Sequence, residues 1–339
     1  MRGHVVCFGE LLLRLGAPGR QLLLQSPCLE VYTGGAEANV AVSLAKFGHR
    51  AEMVGLVADN SLGDSATGEL RRHGVDTRGV QRGSGRMGLY FLTPGAIQRP
   101  SEVLYDRADS AFARAGGGEH DWQDLLQGAD WLHVSGVSPA LGQLAADRTL
   151  QAVRAARAAG VKVSFDGNFR PKLWEAWQGD AAGILRAIMA EADLMFASHR
   201  DIQVVLGHSF PQTTPQARFL AGAEAAFAAF PHLQRMAATL RTQHSVDHHS
   251  LSAIDARRDG SSRVAPVYEL ASVVDRIGTG DAFAAGVLHG EIVGMEDAQG
   301  LHFGLAAACL KHSLPGDFSL FRVEEINTLL GEGGFDVRR

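Results

Sequence analysis

The sequence predicts an α/β fold with a central, mostly parallel sheet between layers of helices and a second, small sheet beside it. Three observations support this prediction. Strand-like and helical runs alternate over most of the 339 residues, which is typical of parallel sheets with helical crossovers. Between residues 86 and 110, strand-like runs follow each other without a helix, which predicts the second sheet. A glycine-rich turn at 278–280 joins a strand-like run, 264–274, to an apolar run typical of a buried helix, 282–288.

Length and composition indicate one large globular domain, which we expect over residues 1–330, followed by a tail at 331–339. The net charge of −5 does not indicate nucleic acid or an anionic membrane as a partner. The three cysteines are far apart and are expected to be free thiols of a reducing compartment. No apolar run approaches the ~20 residues of a membrane span, and a strand begins at His4 without a signal-like segment. We therefore expect a cytoplasmic protein.

The first strand, His4–Phe8, ends at Gly9. A dinucleotide-binding turn would need three glycines in the pattern G-x-G-x-x-G here, so the sequence does not favour a dehydrogenase. Residues 11–33 contain two prolines and are expected to leave the main sheet. A helix is expected from Ala36 to Phe47.

Gly34 and Gly35 precede this helix. Small residues at a helix start allow close packing, which is one explanation of the pair. The other is that the glycines let a polyhydroxylated ligand reach the backbone, with Asn39 facing the same pocket.

The next elements are a strand at 51–57, a helix at 61–73, and strand-like runs at 89–92 and 103–107. The last two have no helical partners, and a sheet with one uncovered face commonly closes over a ligand or a second subunit. Alternating side chains in the run from Tyr105 to Arg107 are also consistent with an ordinary edge strand.

The remainder of the chain returns to alternating strands and helices. The expected strands are 131–136, 161–166, 192–197, 235–240 and 251–254, and the expected helices are 141–159, 198–206, 216–229, 296–312 and 323–330. Ligands of open parallel sheets gather at the carboxyl ends of strands. The loop after 161–166, which contains Asn168 and Arg170, is therefore well placed for chemistry.

The turn Gly278-Thr279-Gly280 and the following Asp281 are the strongest candidate for a reactive site. Backbone N–H groups of such a turn converge on an anion, and the start of a helix adds partial positive charge. A carboxylate beside bound phosphate can accept the proton of an attacking hydroxyl. Asp281 as a simple helix cap is the alternative explanation.

His244, His248 and His249 suggest a metal site, because histidines four residues apart meet on one face of a helix. No further cysteine or histidine nearby completes such a site, and the run 251–254 that follows is strand-like. The sequence therefore favours an ordinary loop.

The motifs at both ends of the chain together resemble the ribokinase-like (PfkB) carbohydrate kinases. The first is Gly34-Gly35-x-x-x-Asn39-x-Ala41 and the second is Asp275-x-x-Gly278-x-Gly280-Asp281. Asp166-x-Asn168-x-Arg170 lies between them. Three further runs, 105–110, 171–173 and 311–318, match the 2-keto-3-deoxygluconate kinases of that family best. The resemblance implies a ribokinase-like sandwich with a β lid built from about 10–33 and 86–110.

By this resemblance Asp281 is the catalytic base, and Gly278, Thr279 and Gly280 form the anion hole. The implied sugar-binding residues, apart from Asp281, are Gly34, Gly35, Ala36, Glu37, Ala38, Asn39, Tyr90, Tyr105, Asp106, Arg107, Arg170 and Asp317. Of these, Tyr90, Tyr105, Arg107 and Arg170 are expected at an acid end of the sugar, since guanidinium groups pair with carboxylates. The implied ATP-binding residues are Asn168, Arg170, Ser198 and 278–281.

The sequence departs from the family in two segments. Ser198-His199-Arg200-Asp201 stands where Asn-x-x-Glu organises magnesium-bound water, so Asp201 is the expected acceptor, through water. Residues 241–249 lack the glycines that usually lie near the nucleotide phosphates.

The resemblance implies ATP- and Mg²⁺-dependent phosphorylation of 2-keto-3-deoxy-D-gluconate at its terminal hydroxyl, giving 2-keto-3-deoxy-6-phosphogluconate. Fructose or 5-dehydro-2-deoxygluconate is an alternative substrate. A degenerate kinase acting as a sugar or nucleotide sensor is the alternative outside enzymes. We expect a homodimer or a larger homo-oligomer, formed through the lid strands.

Overall fold

The computed structural model describes residues 2–331; the predicted tail therefore lies, beyond Gly331, outside the described residues. The strands are β1 (His4–Phe8), β2 (Leu12–Gly16), β3 (Glu30–Gly34), β4 (Arg50–Ala58), β5 (Val80–Gly83), β6 (Leu89–Thr93), β7 (Glu102–Asp106), β8 (Trp131–Ser135), β9 (Lys162–Asp166), β10 (Leu194–Phe196), β11 (Arg235–Gln243), β12 (His249–Arg257), β13 (Ser262–Val264) and β14 (Tyr268–Leu270).

The helices are α1 (Ala36–Lys46), α2 (Ser61–Arg72), α3 (Ala111–Ala115), α4 (Trp122–Leu125), α5 (Gln143–Ala158), α6 (Pro171–Glu175), α7 (Ala181–Met189), α8 (His199–Leu206), α9 (Pro215–Ala229), α10 (Thr279–Val293), α11 (Asp297–Lys311) and α12 (Val323–Leu330). None of the helices within residues 2–331 is both long and apolar enough to span a bilayer.

The larger sheet has the order β13-β12-β11-β10-β9-β8-β1-β4-β5, with β14 also paired to β12. Within the run β11-β10-β9-β8-β1-β4-β5, all neighbouring strands are parallel, whereas β12 runs antiparallel to β11. This confirms the predicted parallel core. The carboxyl ends of β1, β8, β9 and β10 lie side by side at one edge, where the candidate site is built.

Alternate side chains of the central strands point into two separate cores. Val5 and Cys7 of β1 pack into the core beneath α1, α10 and α11. Val6 and Phe8 pack into the core beneath α5, α7 and α9. A strand buried on both faces has apolar residues on both of them, which is why Val5 to Phe8 show no alternation with polar residues.

Helices α10 and α11 approach closely because glycines face each other. A Cβ added at Gly286 would lie 2.6 Å from the Cα atom of Gly304, and one at Gly290 would lie 2.8 Å from the Cα atom of Gly300. The backbones themselves are therefore in contact along α10, the helix that follows the Gly278 turn.

The smaller sheet has the order β3-β2-β6-β7, and it contains the strands predicted to form the lid. One row across it consists of Tyr32, Arg14, Tyr90 and Tyr105, and the adjacent row of Val31, Leu15, Phe91 and Leu104. Successive residues of a strand point to opposite faces. The first row therefore faces the candidate site, and the second, apolar row faces away from it.

The predicted β run at 264–274 is wrong as a single strand. The structure has β13 ending at Val264 and the short β14, and residues 271–278 form no helix or strand. Pro266 explains the interruption, because proline has no N–H group to donate to a neighbouring strand. The glycine-rich turn thus follows an irregular segment, and the helix after it begins at Thr279, three residues earlier than the apolar run indicated.

Candidate active site

The start of α10 forms a cup of backbone N–H groups. Gly278 precedes the helix with φ 76°, and a Cβ there would lie 1.9 Å from the carbonyl oxygen of Asp317. Only glycine therefore fits this position. The Thr279 hydroxyl donates to the Arg276 carbonyl (2.9 Å), which fixes the turn. The first N–H groups of the helix, at 279–281, have no partner within it, so they can receive an anion.

Asp281 lies in the first turn of α10 and is 9% exposed. Its Oδ2 atom accepts a hydrogen bond from Asn39 Nδ2 at 2.6 Å. Burial raises the pKa of Asp281 to about 7; the negative charge of Glu37 acts in the same direction, while the Asn39 hydrogen bond and Arg170 act against it. A carboxyl group with a pKa near neutrality is suited to accept a proton from a hydroxyl group.

Asp275 holds the segment that leads into the cup. Its Oδ1 atom accepts from Ile277 N (3.0 Å), and its Oδ2 atom accepts from Gly316 N (3.1 Å). Arg14 Nη2 lies 2.7 Å from the same Oδ2 atom. This buried carboxylate thus ties three segments together: the lid strand β2, the turn at Gly278 and the turn before Asp317.

Asp317 lies against Gly34, where a Cβ would be 2.1 Å from its Oδ2 atom. It accepts hydrogen bonds from Arg14 Nη1 (3.2 Å) and from the Tyr90 hydroxyl (2.7 Å). Burial raises the pKa of Asp317 to about 6, although the charge of Arg14 and the Tyr90 hydrogen bond lower it. The predicted sugar residues Gly34, Tyr90 and Asp317 are thus brought together.

The junction between β3 and α1 lies over the end of β1. Gly35 has φ 142°, and a Cβ there would lie 2.2 Å from the Glu10 carbonyl oxygen, so the double glycine allows close backbone contact. Ala36 and Ala38 begin α1. The Glu37 side chain is fully buried, and its Oε1 atom accepts from Ser135 N, Ser135 Oγ and Ser138 Oγ.

Residues 105–107 of the lid point in different directions. Tyr105 belongs to the row that faces the site. Asp106 is exposed and accepts from Arg86 Nη2 at 2.7 Å. Arg107 is buried, and its Nε atom donates to Glu10 Oε2 at 2.6 Å. The Ser110 hydroxyl also donates to Glu10, so Glu10 anchors this end of the lid.

A group of carboxylates lies at the ends of β9 and β10. Asp201 caps α8 in a capping box, where its Oδ2 atom accepts from Ser198 N and Ser198 Oγ, both at 2.7 Å. Its Oδ1 atom lies close to Gly167. Burial, together with the negative charges of Asp281 and Asp201, raises the pKa of Asp166 well above its usual range. A carboxyl group whose pKa is raised by negative neighbours lies where a divalent cation would supply the missing positive charge.

Two predicted residues of the loop after β9 lie at the rim of this group. Asn168 has φ 37°, in the left-handed region that asparagine tolerates better than most residues. Arg170 is exposed at the start of α6. Its positive charge lowers the pKa of both Asp166 and Asp281, which indicates that it faces the carboxylates.

Two further arginines were not assigned a role from the sequence. Neither Arg241 nor Arg276 forms an ion pair with a carboxylate in the described part of the chain. Burial and the neighbouring charge of Arg276 lower the pKa of Arg241 to about 10. Two adjacent guanidinium groups without a counter-charge, next to the Gly278 turn, are suited to bind a polyanion.

Sequence reasoning also missed Arg14 and Asp166 as site residues. Arg14 is the one charged residue in the apolar run 11–15, and this interruption is the signal that the sequence offered. The structure buries it to 5% exposure. Asp166 ends a buried strand at the sheet edge where ligands gather.

Comparisons with known proteins gave matches over nearly the whole chain. The model of the pfkB family carbohydrate kinases matches residues 2–319. A 2-dehydro-3-deoxygalactonokinase of Haloferax volcanii is 32% identical over 99% of this chain and 100% of its own length. The crystal structure of 2-dehydro-3-deoxygluconokinase from Thermotoga maritima superposes with a TM-score of 0.90 at 37% identity, covering 97% of this chain and 99% of that one. A putative ribokinase II from E. coli, solved in complex with ATP and Mg²⁺, shares the fold with a TM-score of 0.78 at 19% identity, over 97% and 99% of the two chains.

Proposed function

Because this chain belongs to the pfkB family of carbohydrate kinases, we propose that it transfers a phosphoryl group from ATP to the terminal hydroxyl of 2-keto-3-deoxy-D-gluconate. The product is 2-keto-3-deoxy-6-phosphogluconate. The observation that carries this proposal is Asp281, a buried carboxyl group with a pKa of about 7 at the rim of an N–H cup. Base and phosphate site are then adjacent, as an in-line transfer requires.

In the proposed mechanism, Asp281 accepts the proton of the attacking hydroxyl, and Asn39 holds the carboxylate through its 2.6 Å hydrogen bond. The N–H groups at 279–281 stabilise the charge that develops on the transferred phosphoryl group. Gly278 allows the turn to take this form.

The nucleotide is proposed to lie along the cup, with its phosphates against Arg241 and Arg276 and with Asn168 and Ser198 at its edge. Asp166, and Asp201 through water, would hold Mg²⁺. The metal ion supplies charge neutralisation on the phosphate oxygens. Arg241 and Arg276 would take over the role of the glycines that are missing from 241–249, since guanidinium groups bind phosphate oxygens directly.

The sugar is proposed to lie beneath the lid, with its hydroxyl groups near Gly34, Gly35 and Asp317 and with Tyr105 against one face. Arg107 is proposed to bind the carboxylate. Its Nε atom is occupied by Glu10, but its Nη atoms have no hydrogen-bond partner in residues 2–331. A guanidinium group has five N–H donors and can serve two carboxylates. Arg170 acts on Asp166 and Asp281, so its positive charge is proposed to serve the phosphoryl end of the cleft rather than the acid end.

One related substrate has specific support. 2-Keto-3-deoxygalactonate differs from the gluconate compound only in configuration at C4, and the Haloferax volcanii relative carries a galactonate name. We therefore propose this epimer as the second candidate substrate. Fructose and 5-dehydro-2-deoxygluconate are alternatives, and a sensor without turnover is the alternative outside catalysis.

The test is ADP release from Mg-ATP with both epimers, gluconate, fructose and ribose, and with Asp281→Ala as the control. Turnover with the gluconate epimer and none in the control supports the proposal. Preference for the galactonate epimer or for fructose would change the proposed substrate but leave Asp281 as the proposed base. Binding without turnover on any substrate favours the sensor.

The role of Arg107 needs a variant that leaves no buried carboxylate unpaired, because breaking a buried pair costs about 3–5 kcal/mol. Glu10→Gln/Arg107→Met removes both charges together. We expect KM for a keto-acid to rise at least about tenfold while KM for ATP stays unchanged. An unchanged KM for the acid would exclude Arg107 as its ligand.

The outer face of the lid supports the proposed homodimer. Its apolar row includes Val31 and Leu104, exposed by 59% and 58%. Covering this exposed apolar row with a second copy of the chain would remove apolar surface from water, which favours a dimer. The expected cytoplasmic location is part of the proposal and is consistent with the free thiols of Cys7, Cys28 and Cys309.

A further inference from the structure

A tight turn at residues 244–248 joins β11 to β12 and brings two histidines together. His244 N and Ser245 N both donate to the His248 carbonyl oxygen, at 2.9 and 3.1 Å. These two bonds close the turn, so that the imidazole rings of His244 and His248 lie with their centroids 4.8 Å apart. The pair is therefore held by a hairpin turn rather than by the helix that spacing alone would suggest.

A carboxylate from a distant part of the chain completes the group. Glu269 of β14 lies opposite Ser250 of β12 in the antiparallel register, and its Oε2 atom lies 3.3 Å from His248 Nε2. One ligand atom from each of His244, His248 and Glu269 lies within 4.8 Å of the others, and all three residues are exposed. Ser250 Oγ contacts His244 Nε2 at 2.6 Å and fixes the orientation of that ring.

We propose that His244, His248 and Glu269 form a surface site for a divalent transition-metal ion of the Zn²⁺ class. Imidazole nitrogen and carboxylate oxygen are ordinary zinc ligands at about 2.0–2.2 Å. Two ligand atoms on a tetrahedral ion are then about 3.4 Å apart, close to the 3.3 Å between His248 and Glu269. The third ligand, His244, would reach the ion by rotation of its exposed side chain. Water would take the fourth position.

The ligand set selects against the magnesium proposed for catalysis. Mg²⁺ prefers carboxylate and water oxygen in octahedral geometry, whereas imidazole favours zinc, copper and nickel. The three proposed ligands are exposed to solvent, whereas Asp281 is buried. The site is therefore independent of the proposed kinase reaction.

A metal ion here would join the hairpin turn to β14 across β12. The turn already has two contacts with other segments: the Asp247 carbonyl accepts from Val273 N (2.9 Å), and its carboxylate accepts from Arg20 Nη2 (3.0 Å). Val273 begins the segment that leads to Asp275 and the anion hole. The ion would thus stabilise the junction between the hairpin, the loop after β2 and the irregular segment 271–278.

The test uses the full chain without a histidine tag, treated with a chelator and titrated with Zn²⁺ by calorimetry. Co²⁺, titrated in the same way, reports tetrahedral nitrogen coordination by its visible absorption. The variant is His244→Ala/His248→Ala, and the matched control is His232→Ala, which removes an exposed histidine elsewhere. Buried carboxylates of the candidate active site are present in all three proteins, so only the difference between them is attributed to the turn.

We expect the double variant to bind Zn²⁺ at least about 100-fold more weakly and to lose the Co²⁺ absorption, while the control matches the parent chain. Glu269→Gln should weaken Zn²⁺ binding about tenfold. Zn²⁺ should raise the melting temperature of the parent chain and of the control but not of the double variant. Equal Zn²⁺ affinity and Co²⁺ absorption in the double variant and the parent chain would overturn the proposal.

Discussion

Replacing Asp281 with asparagine should stabilise the protein and lower its turnover by several orders of magnitude. Burial raises the pKa of this carboxyl group from its ordinary value of 3.8 to about 7, so the folded chain resists its ionisation. Asparagine has nearly the same shape and can still accept from Asn39 Nδ2. The variant therefore removes the cost of a buried charge without creating a cavity.

The magnitude follows from linkage between ionisation and folding. For an acid whose pKa is higher in the folded state, the unfolded chain releases the proton first as the pH rises. The free energy of unfolding therefore falls between pH 3.8 and about 7 and is constant above that range. At 1.36 kcal/mol per pH unit, the full cost of ionised Asp281 reaches about 4 kcal/mol. We take this figure as an upper limit, since the site relaxes around the charge.

The assay is urea unfolding of the parent chain and of Asp281→Asn at several pH values between 4.5 and 8.5. The stability difference should be small at pH 4.5, grow through pH 7 in favour of the variant, and then level off. Asp147→Asn, an exposed control on α5, should show no such trend. Turnover of the Asp281 variant should fall by about 10²–10⁴. A variant that is no more stable at pH 8 than at pH 4.5, relative to the parent chain, would refute the argument.

Three other changes test separate parts of the structure. Asn39→Ala removes the hydrogen bond that favours the charged form of Asp281, so the rising limb of the kcat/KM–pH profile should move above pH 7; a limb that stays in place would exclude this role. Arg14→Met leaves two buried carboxylates without their cation and should lower stability by about 3–5 kcal/mol in urea unfolding, with Arg14→Lys restoring part of it. Gly286→Ala places a methyl group against the backbone of α11 and should cost about 1–3 kcal/mol, whereas the same change at the exposed Gly68, where a Cβ meets nothing within 4 Å, should raise helix stability.

The sequence predicted most of the elements because buried strands and amphipathic helices have distinct periodicities. After His4, β1 is apolar at every position from Val5 to Phe8, and the structure buries the strand on both faces. The break at Pro266 was missed, since the surrounding residues favour a strand and only the missing N–H group opposes it. Short helices such as α6 and α7 were also missed because they span too few turns for a clear period.

Residues of the candidate site that share one short motif could be predicted from the sequence. Residues that only folding brings together could not. Asp281 and Gly278 stand in one short run, so their proximity is visible in the sequence. Arg14 contacts Asp275 and Asp317 from the other end of the chain, and no spacing rule reveals such pairs. The sequence shows Glu10, next to Gly9, as a polar residue at the end of a buried strand. Its ion pair with Arg107 is visible only in the folded structure.

The charges of the site favour one orientation of the proposed acid substrate. Burial, together with the negative charges of neighbouring carboxylates, raises the pKa of both Asp166 and Asp281, so this end of the cleft is unfavourable for another carboxylate. Arg14 is neutralised by two carboxylates in the structure, which leaves Arg107 on the lid with free donors. A keto-acid would therefore bind with its carboxylate toward the lid and its terminal hydroxyl toward Asp281. Because negative charge at this end would favour a divalent cation, the proposed Mg-ATP would both neutralise the cleft and bring the phosphoryl group to that hydroxyl. This orientation makes the keto-acid's KM, rather than turnover, the quantity most sensitive to Arg107.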